Sequence, residues 1–198
     1  MEYTYESGYS KSPLEYYEWD NIWWDTTSDG TSTRFLYVGD SISCEIRRRI
    51  TAFSEKKIIV DGFGSSKALD NPYFLPSVDM FVKQMQKLDG VIFNNGLHGW
   101  HLSDEEYEKY YEKALEFIKG YNVPVFVLLT TDVEESKQRK DAVIARNEIA
   151  KKLADKFGFK VIDIYTMTKD RKDMHTKDGV HFTGESYDLL AKEIIKSL

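Results

Sequence analysis

The stretch Arg34-Phe35-Leu36-Tyr37-Val38-Gly39-Asp40-Ser41-Ile42 decides how this chain folds. Its first five residues read as a strand and Gly39-Asp40-Ser41 as a turn. Ile42 to Phe53 reads as a helix, because apolar residues recur there at helical spacing.

The same alternation continues outward. Lys57-Ile58-Ile59-Val60 is a second strand, ended by the flexible run Asp61-Gly62-Phe63-Gly64-Ser65-Ser66, and residues from Pro76 to Leu88 suit a helix. Gly90 to Asn94 is a third strand. Ser103-Asp104-Glu105-Glu106 has the pattern of a capping box, in which Ser103 accepts from the first-turn amides and Glu106 reaches back. The helix it opens runs to Lys119, and Gly120 ends it. Pro124 to Leu129 is almost wholly apolar, as expected for a parallel strand covered on both faces. A helix from Ser136 to Phe157 is closed by Gly158, Phe159 to Ile164 is the fifth strand, and Gly184 to Leu198 is the last helix.

Five strands alternating with helices predict an α/β fold with a parallel sheet sandwiched between helix layers. Ligands of such sheets bind beyond the carboxyl ends of the strands. The unusual polar clusters fall there: Ser41, the Gly/Ser run, Asn94-Asn95-Gly96-Leu97-His98, Thr130-Thr131-Asp132, and Asp178-Gly179-Val180-His181. Residues 1–33 stand outside the alternation as an N-terminal arm ahead of a 34–198 domain. The arm carries Tyr16, Tyr17, Trp19, Trp23 and Trp24, which either pack over the sheet or its edge or wall a substrate pocket.

At 198 residues, one domain with a respectable core is expected, and 41% hydrophobic with 30% charged residues is the make-up of a soluble globular protein. A net charge of −6 argues against nucleic acid as a partner. The basic cluster Arg47-Arg48-Arg49 reads as a solvated helix face. Cys44 is the only cysteine, so no internal disulfide forms. No apolar run approaches membrane-spanning length and no secretory leader is visible, which favours a cytoplasmic protein with no membrane partner; a chain trimmed of its leader reads the same. Oligomeric state is not legible.

Chemistry concentrates in two places. Ser41 sits at a strand-to-helix turn, where its hydroxyl projects into the crevice, and a serine hydroxyl needs an adjacent base to become a nucleophile. His181 can take that proton, and Asp178, three residues earlier, can hold the imidazole tautomer. An isolated Ser41 reads more simply as a helix N-cap; the Asp-x-x-His ahead of the last helix is what favours catalysis. His98 and His101 have an i, i+3 spacing without a carboxylate or cysteine cluster to complete a metal site. Cys44 reads as buried, His175 as solvated in a charged loop, and the glycines of the second run do not follow a phosphate-loop spacing.

Across residues 34–198 the chain resembles the SGNH/GDSL hydrolase superfamily, esterases with a flavodoxin-like three-layer α/β/α fold. Gly39-Asp40-Ser41-Ile42 matches the block that supplies the nucleophile, and Asp178-Gly179-Val180-His181 the block that supplies acid and base. The resemblance implies an oxyanion hole built from the Ser41 N–H, a glycine N–H of the second block and a side chain of the third. Gly64 is the choice for the second, with Ser66 or Gly62 possible through a register shift. The third block usually reads Gly-x-Asn-Asp; here Asn94-Asn95-Gly96-Leu97-His98-Gly99 puts His98 where the family has Asn, with Asn95 three positions upstream. Asn95 is preferred because an amide donates at every pH, and His98 is the co-candidate.

Asp40, Trp23, Trp24 and Trp100 join as substrate-contact candidates. The third block and Thr130-Thr131 resemble a bacterial branch assigned to carbohydrate or acetyl esters, of which Arg146-Asn147 also looks typical, either as catalytic residues or as a structural tie. The resemblance therefore implies a cofactor-free serine esterase acting on a small-molecule or glycan ester. The alternatives are a lipase or lysophospholipase, and a non-catalytic glycan-binding module of the same fold.

Overall fold

The computed structural model describes residues 18–134 and 136–198; Tyr16 and Tyr17 of the aromatic arm lie outside the described residues. Thirteen short and long elements follow one another. The strands are β1 (Asp20–Trp23), β2 (Thr33–Gly39), β3 (Ile58–Ser65), β4 (Gly90–Phe93), β5 (Val125–Leu128) and β6 (Lys160–Ile162). The helices are α1 (Ser41–Phe53), α2 (Phe74–Val82), α3 (Asp104–Lys119), α4 (Lys137–Phe157), α5 (Tyr165–Thr168) and α6 (Gly184–Ser197), with a 3-10 turn at Lys172–Met174.

The strands form one sheet in the order β1-β3-β2-β4-β5-β6. The five strands expected from the alternation are all parallel. The sixth, β1, comes from the N-terminal arm and runs antiparallel along β3 at the sheet's edge. Strand order reverses at β2, so the crevice opens between the carboxyl ends of β2 and β4.

Two hydrophobic layers follow from the period-two alternation of side chains along each strand. Phe35, Tyr37, Val60, Ile92, Phe126 and Leu128 face α1 and α6, meeting Ile42, Ile46, Ile50, Leu190 and Ile194. Their neighbours Leu36, Val38, Val91, Phe93, Val125 and Val127 face α2, α3 and α4. Both faces of the central strands are thus dry, which is why these strands read as continuous apolar runs. No helix among the described residues is long and apolar enough to cross a membrane.

Several elements differ from the sequence reading. Strand β3 does not stop at Val60 but continues through the Gly/Ser run to Ser65, because β1 and β2 flank it on both sides and give that backbone partners. Helix α2 starts earlier, its Pro76 sitting in the first turn where no backbone donor is needed, and ends at Val82 in tighter turns at Gln84 and Met85. Arg47 is not part of a solvated face: it is buried across β3 and donates to Asn21 Oδ1 at 2.5 Å. Arg48 lies over the Trp23 ring, and Arg49 pairs with Asp188 at 2.9 Å.

His175 is also buried rather than solvated. Its ring packs tilted against Phe182 with centroids 4.4 Å apart, and neither ring nitrogen has a hydrogen-bond partner among the described residues. Burial pushes its pKa below the ordinary value, so the folded protein favours the neutral ring. As pH falls below about 6.5, the unfolded chain takes up this proton first and stability drops. We expect His175→Phe, which keeps the ring contact, to shrink the loss of stability between pH 7.5 and pH 5.5 measured by urea unfolding. An undiminished loss would show that His175 does not contribute to it.

Candidate active site

Asp40 starts the site. It is the N-cap of α1: its Oδ1 accepts the Ile42 N–H at 2.9 Å, and its carbonyl accepts the Ser43 hydroxyl at 2.6 Å. The capping role weighed for Ser41 thus falls to Asp40, and Ser41 becomes the first helical residue, with its own amide among those a helix start leaves unbonded. Asp40 is 2% exposed, so it braces the turn from behind rather than meeting a substrate. Burial raises the pKa of this carboxyl, while the nearby imidazoles of His98 and His181 oppose that rise.

On the far side, Gly179 takes a left-handed φ of 69° and lets Asp178-Gly179-Val180-His181 fold back on itself. Asp178 Oδ1 accepts from Thr176 Oγ1 at 2.8 Å and from the amides of Val180 and His181 at 3.0 Å each. Its Oδ2 lies 2.6 Å from His181 Nδ1. His181 Nε2 lies 2.8 Å from Ser41 Oγ. Burial alone would raise the Asp178 pKa, but the hydrogen bonds from His181, Val180 and Thr176 hold it well below the carboxylate range. Asp178 is therefore ionised at neutral pH and keeps the Nδ1 proton on His181, leaving Nε2 to accept from Ser41.

The loops after β3 and β4 form the opposite wall. Gly64 pairs in register with Gly39 of β2 and Asn21 of β1. Its missing side chain makes room for α1: a Cβ would lie 2.4 Å from Cys44 Sγ. Amide direction alternates along a strand, and Ser66 donates its N–H to the Trp19 carbonyl across the β1–β3 pair. Gly64 and Gly62 share that parity, so all three amides named from the sequence point toward β1, and the intervening Ser65 amide points toward β2, where the parallel pairing of Gly39 with Gly64 engages it.

Asn95 is 2% exposed; its Nδ2 donates to the Lys67 carbonyl at 3.1 Å, and its own carbonyl accepts the Tyr107 hydroxyl at 2.6 Å. It ties the two loops together, and the half-buried His98 follows on the second of them.

Trp100 is half-buried beside the same loop, with Arg139 and Arg146 over its ring at 4.9 and 4.7 Å. The other two tryptophans are not brought to Ser41. Trp24 stacks on Phe81 of α2 at 4.0 Å, and Trp23 lies against Arg47 and Arg48, beyond the first turn of α1. The reason is the direction of β1: it runs away from the crevice, so its C-terminal residues fall deep along the edge. His101 Nε2 meets Asp70 Oδ2 at 3.1 Å, a pairing the sequence reading missed because the two residues lie on different loops. The carboxylates of Asp132, Glu134 and Asp170 lie close together, but Lys140 Nζ stands 3.1, 2.9 and 3.0 Å from them and already supplies the cation.

Solved structures share this architecture. A lipase/acylhydrolase from Enterococcus faecalis matches with a TM-score of 0.67 at 16% identity, over 83% of this chain and 94% of that one. A member of the lipolytic G-D-S-L family from Veillonella parvula matches with 0.67 at 18%, over 83% and 97%. The acetyl xylan esterase AlAXEase matches with 0.63 at 18%, over 83% and 99%. The fold is that of the SGNH/GDSL hydrolases. No family model matches the chain, and no curated protein matches it.

Within this SGNH fold, the contact of α1 with β3 is the tightest constraint near Ser41. Gly64→Ala should lower stability by about 1–3 kcal/mol through overpacking. Adding Cys44→Ala, which removes the obstructing sulfur, should recover most of that loss in thermal unfolding. Additive losses in the double variant would refute the contact as the cause.

Proposed function

We propose that the chain is a serine ester hydrolase working through an acyl-enzyme. The observation that carries this reading is the continuous chain Asp178 Oδ2–His181 Nδ1 and His181 Nε2–Ser41 Oγ, at 2.6 and 2.8 Å. Ser41 Oγ attacks the ester carbonyl carbon as its proton passes to His181 Nε2. The carbonyl oxygen becomes an oxyanion, and the intermediate collapses as Nε2 gives its proton to the leaving alcohol. A water then repeats the sequence on the acyl-enzyme, releasing the acid and restoring Ser41. Every proton has a holder among these residues, so the cycle calls on no cofactor.

For the oxyanion we assign two donors: the Ser41 amide and the His98 side chain. His98 is favoured over Asn95 because Asn95 Nδ2 already donates to the Lys67 carbonyl, whereas His98 stands at the third-block position on the loop beyond the carboxyl end of β4. His98→Ala should lower kcat by about 10²–10³, the cost of one oxyanion donor, with little change in KM. Asn95→Ala should act chiefly on thermal stability. The reverse pattern would return the role to Asn95.

The substrate we infer is a short acyl ester, acetyl on a carbohydrate hydroxyl. Support comes from the likeness to an acetyl xylan esterase, and from Trp100 beside the third block, a flat ring of the kind sugars stack on. The test is hydrolysis of p-nitrophenyl esters from acetyl to long acyl by wild type and Ser41→Ala. Ser41→Ala should lose at least about 10³-fold, and wild-type rates should fall as the acyl chain lengthens. Equal rates for the two proteins would end the triad assignment. A rising chain-length profile would mark a lipase, and glycan binding without turnover a binding module.

A further inference from the structure

We infer that Arg146, on α4 and outside the triad, is the positioning residue that aims the His98 donor. Arg146 is 2% exposed, and its guanidinium gathers three consecutive parts of one loop. Nη1 donates to the carbonyls of Gly96 at 2.9 Å and His98 at 2.8 Å, and Nη2 to that of Gly99 at 2.6 Å. The guanidinium lies over Trp100 at 4.7 Å and over Tyr107 at 4.6 Å, so two aromatic rings fix its plane. Tyr107 in turn donates to the Asn95 carbonyl, and burial pushes its phenol pKa up, keeping it a donor.

The loop so held has no regular secondary structure to define it. Gly96 is pressed against Thr130, where a Cβ would lie 1.8 Å from Oγ1, and Gly99 turns the chain with a left-handed φ of 71°. Asn147, next to Arg146 on α4, brackets Thr130 from both sides: its Oδ1 accepts the Thr130 amide and its Nδ2 donates to the Thr130 carbonyl, both at 2.8 Å. One turn of α4 therefore sets the backbone on both sides of the crevice floor. A planar, always-charged fork suits this task, since its donors diverge at fixed angles and cannot be lost by deprotonation. With the His98 carbonyl clamped and the Gly99 turn fixed, the Cα–Cβ direction from which the His98 ring projects is fixed too. An oxyanion donor has to be in place before charge develops, so this direction governs rate rather than binding.

This inference rests on the ester-hydrolase reading and on His98 as donor, and the experiment separates the three. Arg146→Lys keeps the charge but reaches fewer carbonyls; it should lower kcat on p-nitrophenyl acetate by about 10- to 100-fold, less than outright loss of a donor, with KM within a few-fold. Affinity for a boronate that forms a tetrahedral adduct on Ser41 should fall in parallel. In the His98→Ala background the same substitution should cost little more. Unchanged kcat and boronate affinity in a folded Arg146→Lys protein with a lowered Tm would reduce Arg146 to a structural tie and overturn the proposal, and so would full additivity with His98→Ala. Carbon-13 relaxation of the His98 ring in the wild-type protein supplies a readout that needs neither turnover nor a foldable variant: a rigid ring is expected, and a ring averaging between rotamers overturns it. Absence of turnover and boronate binding in the wild type would instead end the hydrolase reading.

Discussion

The hydrogen bond between His181 Nε2 and Ser41 Oγ joins residues 140 positions apart in the chain, and everything else about the site depends on its being made. One such bond contributes only about 0.5–1.5 kcal/mol net, far less than the entropy of ordering the residues between its partners. The bond is therefore a consequence of packing, not its cause. What brings the two ends together is the layer in which α1 and α6 lie on one face of the sheet, with Ile42, Ile46 and Ile50 against Leu190 and Ile194. Ser41 begins one of these helices, and His181 stands three residues before the other. The Ser41–His181 distance is thus set by a helix–helix contact with an apolar centre, which the Arg49–Asp188 pair at 2.9 Å also spans.

The same logic explains the glycines of β3. For Ser41 to stand over the sheet's carboxyl edge, α1 has to approach β3 closely enough that Arg47 fills the space above Gly62 and Cys44 Sγ the space above Gly64. Side chains at either position would lift the helix and carry Ser41 with it. Bare backbone there buys proximity at some cost in conformational entropy. The antiparallel pairing with β1 then holds that glycine-containing segment extended as a strand.

Local signals were legible in the sequence and relative placements were not. The parallel strands, the Ser103–Glu106 capping box and the Asp178–His181 couple are short-range patterns, and each appears where its residues put it. The reading of the second block failed on register: with period-two alternation, choosing among Gly62, Gly64 and Ser66 could not change which way the amide points, since all three share one parity. Trp23 and Trp24 were drawn to the crevice by their chemistry, but an edge strand running antiparallel carries them away from it. Arg47 and His175 misled because a charge or an imidazole in a polar run says nothing about what packs over it; the ring of Phe182 and the missing side chain of Gly62 are tertiary facts.

The division of labour between the two carboxylates beside Ser41 follows from their surroundings. Asp178 is about half exposed and receives four hydrogen bonds through two oxygens, so it carries its negative charge easily and can stabilise an imidazolium. Asp40 is buried, and its second oxygen has no protein partner among the described residues, so its charge is costly and depends on the two imidazoles nearby. In the acyl transfer proposed above, His181 would gain a proton while the oxyanion forms, and a charge on the buried Asp40 beside Ser41 would favour the first and oppose the second.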